Sequence, residues 1–194
     1  MAGSDFYHAL GGGDDLMYSV QMRGFDTSFW KDLGANTPTI VSNKMRISNG
    51  DIASFSQYKF GIYEFAINFA STPSGSEAKV WGLRWPNTTR DAIYFEVAGS
   101  VFRVVTRNDE GTATTTVVTW NAWEGSEVIF RFHWTLNSVV FTIDDVQVAT
   151  HNVGNKDNLP SGSSLPLPWR LDFNDVENSD VGYVAVRDAG EIIS

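Results

Sequence analysis

Apolar and polar side chains alternate with a period of two along most of this chain, most sharply over residues 127–144. Phe130, Phe132 and Trp134 alternate with Ile129, Arg131 and His133, and the pattern resumes in Val139, Phe141 and Ile143. Successive strand side chains point to opposite faces, so this rhythm in aromatic and β-branched residues predicts strands that bury at least one face. Leu136-Asn137-Ser138 reads as the turn between them, and Asp144-Asp145 as a second turn. Similar runs are predicted at 16–22, 39–47, 58–70, 78–85, 91–97, 100–106, 113–119, 146–151, 168–174 and 181–187. Between them lie turn clusters such as Ser48-Asn49-Gly50-Asp51, Asn108-Asp109-Glu110-Gly111 and Ser161-Gly162-Ser163-Ser164. No window carries a capped helical period. So many short strands predict an all-β domain of two packed antiparallel sheets, a sandwich or jelly roll.

The length, 194 residues, suits a single domain with a sizeable core. Residues 1–15 end in Gly11-Gly12-Gly13-Asp14-Asp15 and are expected to form a flexible arm, leaving 16–194 as the sandwich. The formal net charge of −9 repels phosphate backbones and anionic membrane surfaces, which argues against both as partners. No apolar stretch approaches the ~20 residues of a membrane-spanning helix, and the first twenty residues show no signal-peptide pattern. Without cysteine, disulfides and thiolate metal sites are excluded.

Four segments, in order, resemble the laminarinase-type glucanases, whose fold is the concanavalin-like jelly roll. They are Tyr58-Lys59-Phe60-Gly61-Ile62-Tyr63-Glu64-Phe65; Val80-Trp81-Gly82-Leu83-Arg84-Trp85-Pro86; the 127–144 hairpin; and Trp169 to Asn174 followed by Val181 to Arg187. The resemblance covers the chain from about residue 16 to the end and implies a concanavalin-like β-sandwich. It also implies where the catalytic strand lies. In that family the strand carries Glu-x-Asp-x-Glu or a one-residue-longer variant, with alternate carboxylates on one face. One attacks the anomeric carbon and another protonates the leaving oxygen, which requires carboxyls ~5 Å apart.

The corresponding stretch here is Asp91-Ala92-Ile93-Tyr94-Phe95-Glu96. Ala92 stands at the nucleophile position and Tyr94 at the middle position, so Glu96 is the only surviving candidate. One carboxylate cannot run double displacement. The family's chemistry is therefore expected to be absent, with Glu96 a polar residue lining the concave sheet.

Seven tryptophans and several tyrosines offer flat faces for sugar rings, although sandwich core is the expected place for most of them. Alternation puts Trp81, Leu83 and Trp85 on one face and Val80, Gly82 and Arg84 on the other. Trp85, beside Pro86, and Tyr94 are the candidate exposed platforms, with Glu96, Arg84 and Arg90 as polar ligand-binding candidates. Asp172, Asp175, Glu177 and Asp180 form an oxygen-rich cluster of the kind that suits a structural calcium; no other cofactor is expected. The three histidines, His8, His133 and His151, are scattered, which argues against zinc.

The leading expectation is therefore a non-catalytic, lectin-like module that recognises a glycan or another ligand on its concave sheet. A second reading is a structural or assembly protein, such as a virion surface or appendage subunit, with a protein partner or homo-oligomer engaged through the N-terminal arm. Either role places the protein extracellularly or on a virion surface. An active glycoside hydrolase or lyase with relocated residues stands third.

Overall fold

The computed structural model describes residues 16–21, 25, 27–70, 78–86, 89–99, 101–119, 125–161, 165–174, 178–187 and 192–193. The 1–15 arm lies outside them, as do Trp120 and Trp123. In chain order the strands are β1 (Leu16–Gln21), β2 (Trp30–Asp32), β3 (Thr39–Val41), β4 (Lys44–Ile47), β5 (Gly50–Tyr58) and β6 (Gly61–Phe69). Next come β7 (Ala78–Arg84), β8 (Ala92–Ala98), β9 (Val101–Arg107), β10 (Ala113–Val118), β11 (Glu127–Trp134) and β12 (Ser138–Ile143). The last four are β13 (Val146–Asn152), β14 (Leu167–Asn174), β15 (Ser179–Arg187) and β16 (Ile192–Ile193). A single 3₁₀ turn at Val153–Asn155 is the only helical element among the described residues.

All pairings are antiparallel and build two sheets. The first runs β13-β12-β11-β6-β15-β4-β3, with β1 also on β15; the second runs β10-β9-β8-β7-β14-β5-β16, with β2 also on β5. The all-β sandwich expected from periodicity is the fold observed. Asp144 and Asp145 both adopt positive φ, 46° and 65°, the left-handed backbone a two-residue hairpin turn needs to follow strand twist. Ser42 and Asn43 do the same at 51° and 61°, which splits the predicted 39–47 run into the β3–β4 hairpin.

One expectation fails with consequences. Ser48-Asn49-Gly50-Asp51 has the composition of a turn throughout, but β5 already begins at Gly50, so Asp51 is a strand residue paired with Asp172. Gly50 weighs against a strand by propensity, and its pairing with Phe173 of β14 overrides it. All of β5 but its last residue, Tyr58, lies outside the predicted runs, and the short β2 and β16 escape the periodicity reading because they are too brief to show alternation.

The core is the layer between the sheets. Phe130, Phe132, Trp134, Val139, Phe141 and Ile143 all point into it, as their alternation requires. Trp81 stacks on Phe95 and Phe102 from its own sheet, with centroids 5.7 and 6.0 Å away, and meets Phe130 of the opposite sheet edge-on at 4.9 Å. A second group joins Trp30, Tyr58 and Trp169, with Tyr58 stacked on Trp169 at 4.7 Å. Such offset and edge-to-face pairs add to the area term that dominates the core.

His151 ties the sheets at one edge. From β13 of the first sheet, its Nδ1 lies 2.8 Å from Thr106 Oγ1 and its Nε2 3.0 Å from Thr116 Oγ1, both on the second sheet. Burial pushes its imidazole below the usual value near 6.5, against the charge of Asp157. The folded state thus prefers the neutral ring. The unfolded chain takes up a proton near pH 6.5, so this contribution to stability is present above that pH and lost as pH falls below it. Urea denaturation from pH 7 to 5 should show wild type losing more stability than His151→Gln over that window; parallel curves would refute the assignment.

Gly82 sits in the middle of β7 with φ of 157° and no room for a side chain. A Cβ there would lie 2.2 Å from the Ile93 carbonyl oxygen and 2.6 Å from Tyr94 Cα, both backbone atoms of β8. Gly82→Ala should therefore force β7 and β8 apart and cost about 1–3 kcal/mol or more in urea denaturation. A loss under a few tenths would show that the sheet accommodates the methyl group.

Candidate active site

Alternation that sends Trp81, Leu83, Phe95 and Val97 inward sends their neighbours to the outer face of the second sheet. Register lines those neighbours up in three rows. The first runs Arg103 (β9), Glu96 (β8), Val80 (β7), Asp172 (β14), Asp51 (β5). The second runs Val105, Tyr94, Gly82, Arg170, Ala53, and the third Arg107, Ala92, Arg84. Val80, Ala92, Tyr94 and Val105 make a small buried apolar floor.

The first row opens into a recess of about 390 Å³. It is lined by Asp51, Glu96 and Asp172 together with Val80 and Arg84, and flanked by Gly34, Ala35, Asn49 and Gly50. Arg170, 7% exposed, organises its acidic end. Its Nε and Nη2 donate to the two carboxylate oxygens of Asp51 at 2.9 and 2.7 Å, and Nη2 also lies 2.9 Å from Asp172 Oδ2. Nη1 donates to the Pro86 carbonyl at 3.2 Å. Burial raises the Asp172 carboxyl above the usual carboxylate value. The charge of Asp51 raises it further, while Arg170 and Arg84 pull it down. Glu96 holds a looser contact, 3.5 Å to Arg103 Nε. The face thus combines a carboxyl biased toward its protonated form with a second carboxylate two strands away. Two strand spacings set their Cα atoms ~9.5 Å apart.

Of the residues singled out in the sequence, Arg84, Tyr94 and Glu96 share this face. Trp85 does not: it is half-buried and packs against the core between the sheets. Tyr94 is 4% exposed, with the Arg84 and Arg107 guanidinium carbons 5.5 and 5.9 Å from its ring centre, so its ring is not an open platform. Arg90 is exposed at the rim, 3.8 Å from Asp109. The acidic cluster is divided. Asp172 faces the recess, Asp180 pairs with Arg46 at 2.7 Å on the other sheet, and Asp175 and Glu177 lie outside the described residues. Among the described residues no group of three acidic or histidine side chains is placed to hold a metal.

Asp51 and Arg170 were missed altogether. Asp51 was hidden by the turn reading of 48–51. The repeat Arg170-Leu171-Asp172, polar-apolar-polar in a strand, was the signal that could have put Arg170 and Asp172 on one outer face.

Comparison with curated protein sequences gives no match. The fold is shared with solved structures of low identity. A Bacillus licheniformis beta-glucanase is 15% identical, with a TM-score of 0.71 over 90% of this chain and 98% of that one. The laminarinase from Flavobacterium sp. UMI-01 is 14% identical, with a TM-score of 0.72 over 90% and 100%. The catalytic domain of an endo-1,3-beta-glucanase (laminarinase) from Thermotoga petrophila RKU-1 is 11% identical, with a TM-score of 0.67 over 97% and 100%. The family described as "Glycosyl hydrolases family 16" matches residues 19–167.

That match overturns the expectation of a non-catalytic module and, with it, the structural-subunit alternative. Glu96 of β8 is not alone there, because the fold brings Asp51 from β5 and Asp172 from β14 to the recess that it lines. With residues 19–167 matched, well over half of its length, the chain belongs to the glycosyl hydrolases of family 16.

Proposed function

We propose that this protein cleaves glycosidic bonds of a β-glucan-type polysaccharide in the recess on the outer face of its second sheet. The solved structures that share its fold include a beta-glucanase and laminarinases, which supports this choice of substrate class. The observation that carries it is the convergence of Glu96, Asp172 and Asp51 from three strands on one recess.

Asp172 is the general acid. Its carboxyl is raised by burial and by Asp51, so it retains a proton to higher pH than an ordinary aspartate and can pass it to the leaving glycosidic oxygen. Glu96 is the base. It stands two strands from Asp172 on the same face, with Val80 between them on the floor of the recess. Water attacks the anomeric carbon as Glu96 takes its proton; the glycosidic bond breaks as Asp172 protonates the departing oxygen. Arg170 holds Asp51 and Asp172 in place. This reading puts the protein's action outside the cell, where such polymers occur.

Release of reducing ends from laminarin and from mixed-linkage glucan should be measurable for the wild type. Asp172→Asn and Glu96→Gln should each lower it at least about 100-fold while leaving thermal stability within a few degrees. Because the acid must be protonated, the rate should fall as pH rises above the raised pKa of Asp172. Proton NMR of the first-formed product should show inverted anomeric configuration. Failure to cleave any β-glucan, or full activity in both variants, would refute the proposal.

A further inference from the structure

The outer face is unexpectedly basic beside its carboxylates. Arg84, Arg103, Arg107 and Arg170 all stand on it in a chain with a formal net charge of −9. Two of the four are committed: Arg170 to Asp51 and Asp172, and Arg103 to Glu96. Arg84 and Arg107 are not. Among the described residues neither meets a carboxylate at ion-pair distance. Arg107 Nε donates to the Tyr94 hydroxyl at 3.1 Å, and both guanidinium groups lie over the Tyr94 ring.

These two side chains, with Thr89, Arg90, Ala92 and Tyr94, line a narrow recess of about 50 Å³. It is a small volume suited to a single anionic group rather than a sugar ring. Ala92 and Tyr94 supply its apolar floor. Burial lowers the pKa of Arg84 and the charges of Arg170 and Arg107 add to that, while Tyr94 and Asp172 act the other way. A partly desolvated cation among other cations is stabilised by an arriving anion, and guanidinium donors match sulfate or carboxylate oxygens in paired geometry.

We infer that Arg84 and Arg107 form a subsite for a sulfate ester or carboxylate carried by the polysaccharide, so that the preferred substrate is an anionic glycan. The inference rests on the proposed glycosidase reading for the polymer and adds the charge. Ala92 is four residues from Glu96 along β8, ~13 Å at strand rise, so the anion belongs to a sugar unit other than the one being cleaved.

The test uses laminarin and the same polymer lightly sulfated by chemical means. Binding is measured by calorimetry at fixed ionic strength in the Asp172→Asn background, so that turnover does not intervene. Inorganic sulfate at matched concentration is a separate arm. Sulfated laminarin should bind at least about tenfold more tightly than laminarin, the discrimination expected of one charge-assisted contact. Arg84→Gln should abolish most of that preference, and Arg107→Gln should do the same as an independent variant. Lys156→Gln, which removes an exposed charge elsewhere, should retain it. Inorganic sulfate should compete weakly, since the sugar supplies the remaining contacts.

Equal affinity for the two polymers, or equal losses in Arg84→Gln and Lys156→Gln, would overturn the inference. Inorganic sulfate binding as tightly as the polymer would also overturn it, by making the recess a site for free anions. Reducing-end release by the unsubstituted protein is scored separately. Preference for the sulfated polymer without hydrolysis of either would refute the glycosidase reading and leave the anion subsite standing. Hydrolysis without preference would do the reverse.

Discussion

The aromatic layer between the sheets fixes everything else in this molecule. Trp81, Phe95, Phe102 and Phe130 are fully or almost fully buried against one another, and a strand can satisfy that demand in only one register. Slipping β7 or β8 by one residue would bring Val80, Gly82 and Arg84, or Tyr94 and Glu96, into the core and send the large aromatic residues to water. The cost would include an unpaired buried charge as well as the lost apolar burial. The chemistry of the outer face is thus a consequence of the packing of the inner one.

Once the register is set, electrostatics organises the outer face. Asp51 and Asp172 are adjacent across a strand pair, where like charges repel, and the buried guanidinium of Arg170 lies between them. The arrangement gives geometric definition to both carboxylates at once and leaves Asp172 easier to protonate than a solvated aspartate. Gly82 belongs to the same logic. It lies between Arg170 and Tyr94 in the second row, at the point where β7 and β8 come too close for any side chain.

Glu96 shares its face of β8 with Ala92 and Tyr94, neither of them an acid. The other carboxylates of the recess, Asp51 and Asp172, come from across the sheet. A row perpendicular to the strands and a row along one strand both present acids to the same face. They differ in spacing, because neighbouring strands lie ~4.8 Å apart while alternate residues of one strand lie ~6.6 Å apart. The separation of the carboxyl groups themselves, rather than of the Cα atoms that carry them, determines which displacement geometry a glycosidase site supports.

The sequence by itself determined the class of fold and the inward set of residues. Alternation in 127–134 and 138–143 identifies Phe130, Phe132, Trp134, Val139, Phe141 and Ile143 as core without reference to any partner strand, since a strand's faces are a local property. The two-residue turn at Asp144-Asp145 was legible for the same reason. The site was only half legible. Glu96, Arg84 and Tyr94 could be assigned to one face, but their neighbours could not, because β14 and β5 reach β7 and β8 only through pairings distant in sequence. Trp85 illustrates the limit: alternation placed it with Trp81 and Leu83, its position beside Pro86 suggested exposure, and the packed structure shows it half-buried against the core. Asp172 is the clearest case. Its local sequence suggested a metal-binding acidic turn, and register with Asp51, together with the buried Arg170, made it the raised carboxyl of the recess. Cross-strand register is a property of the whole sheet, and no window of sequence contains it.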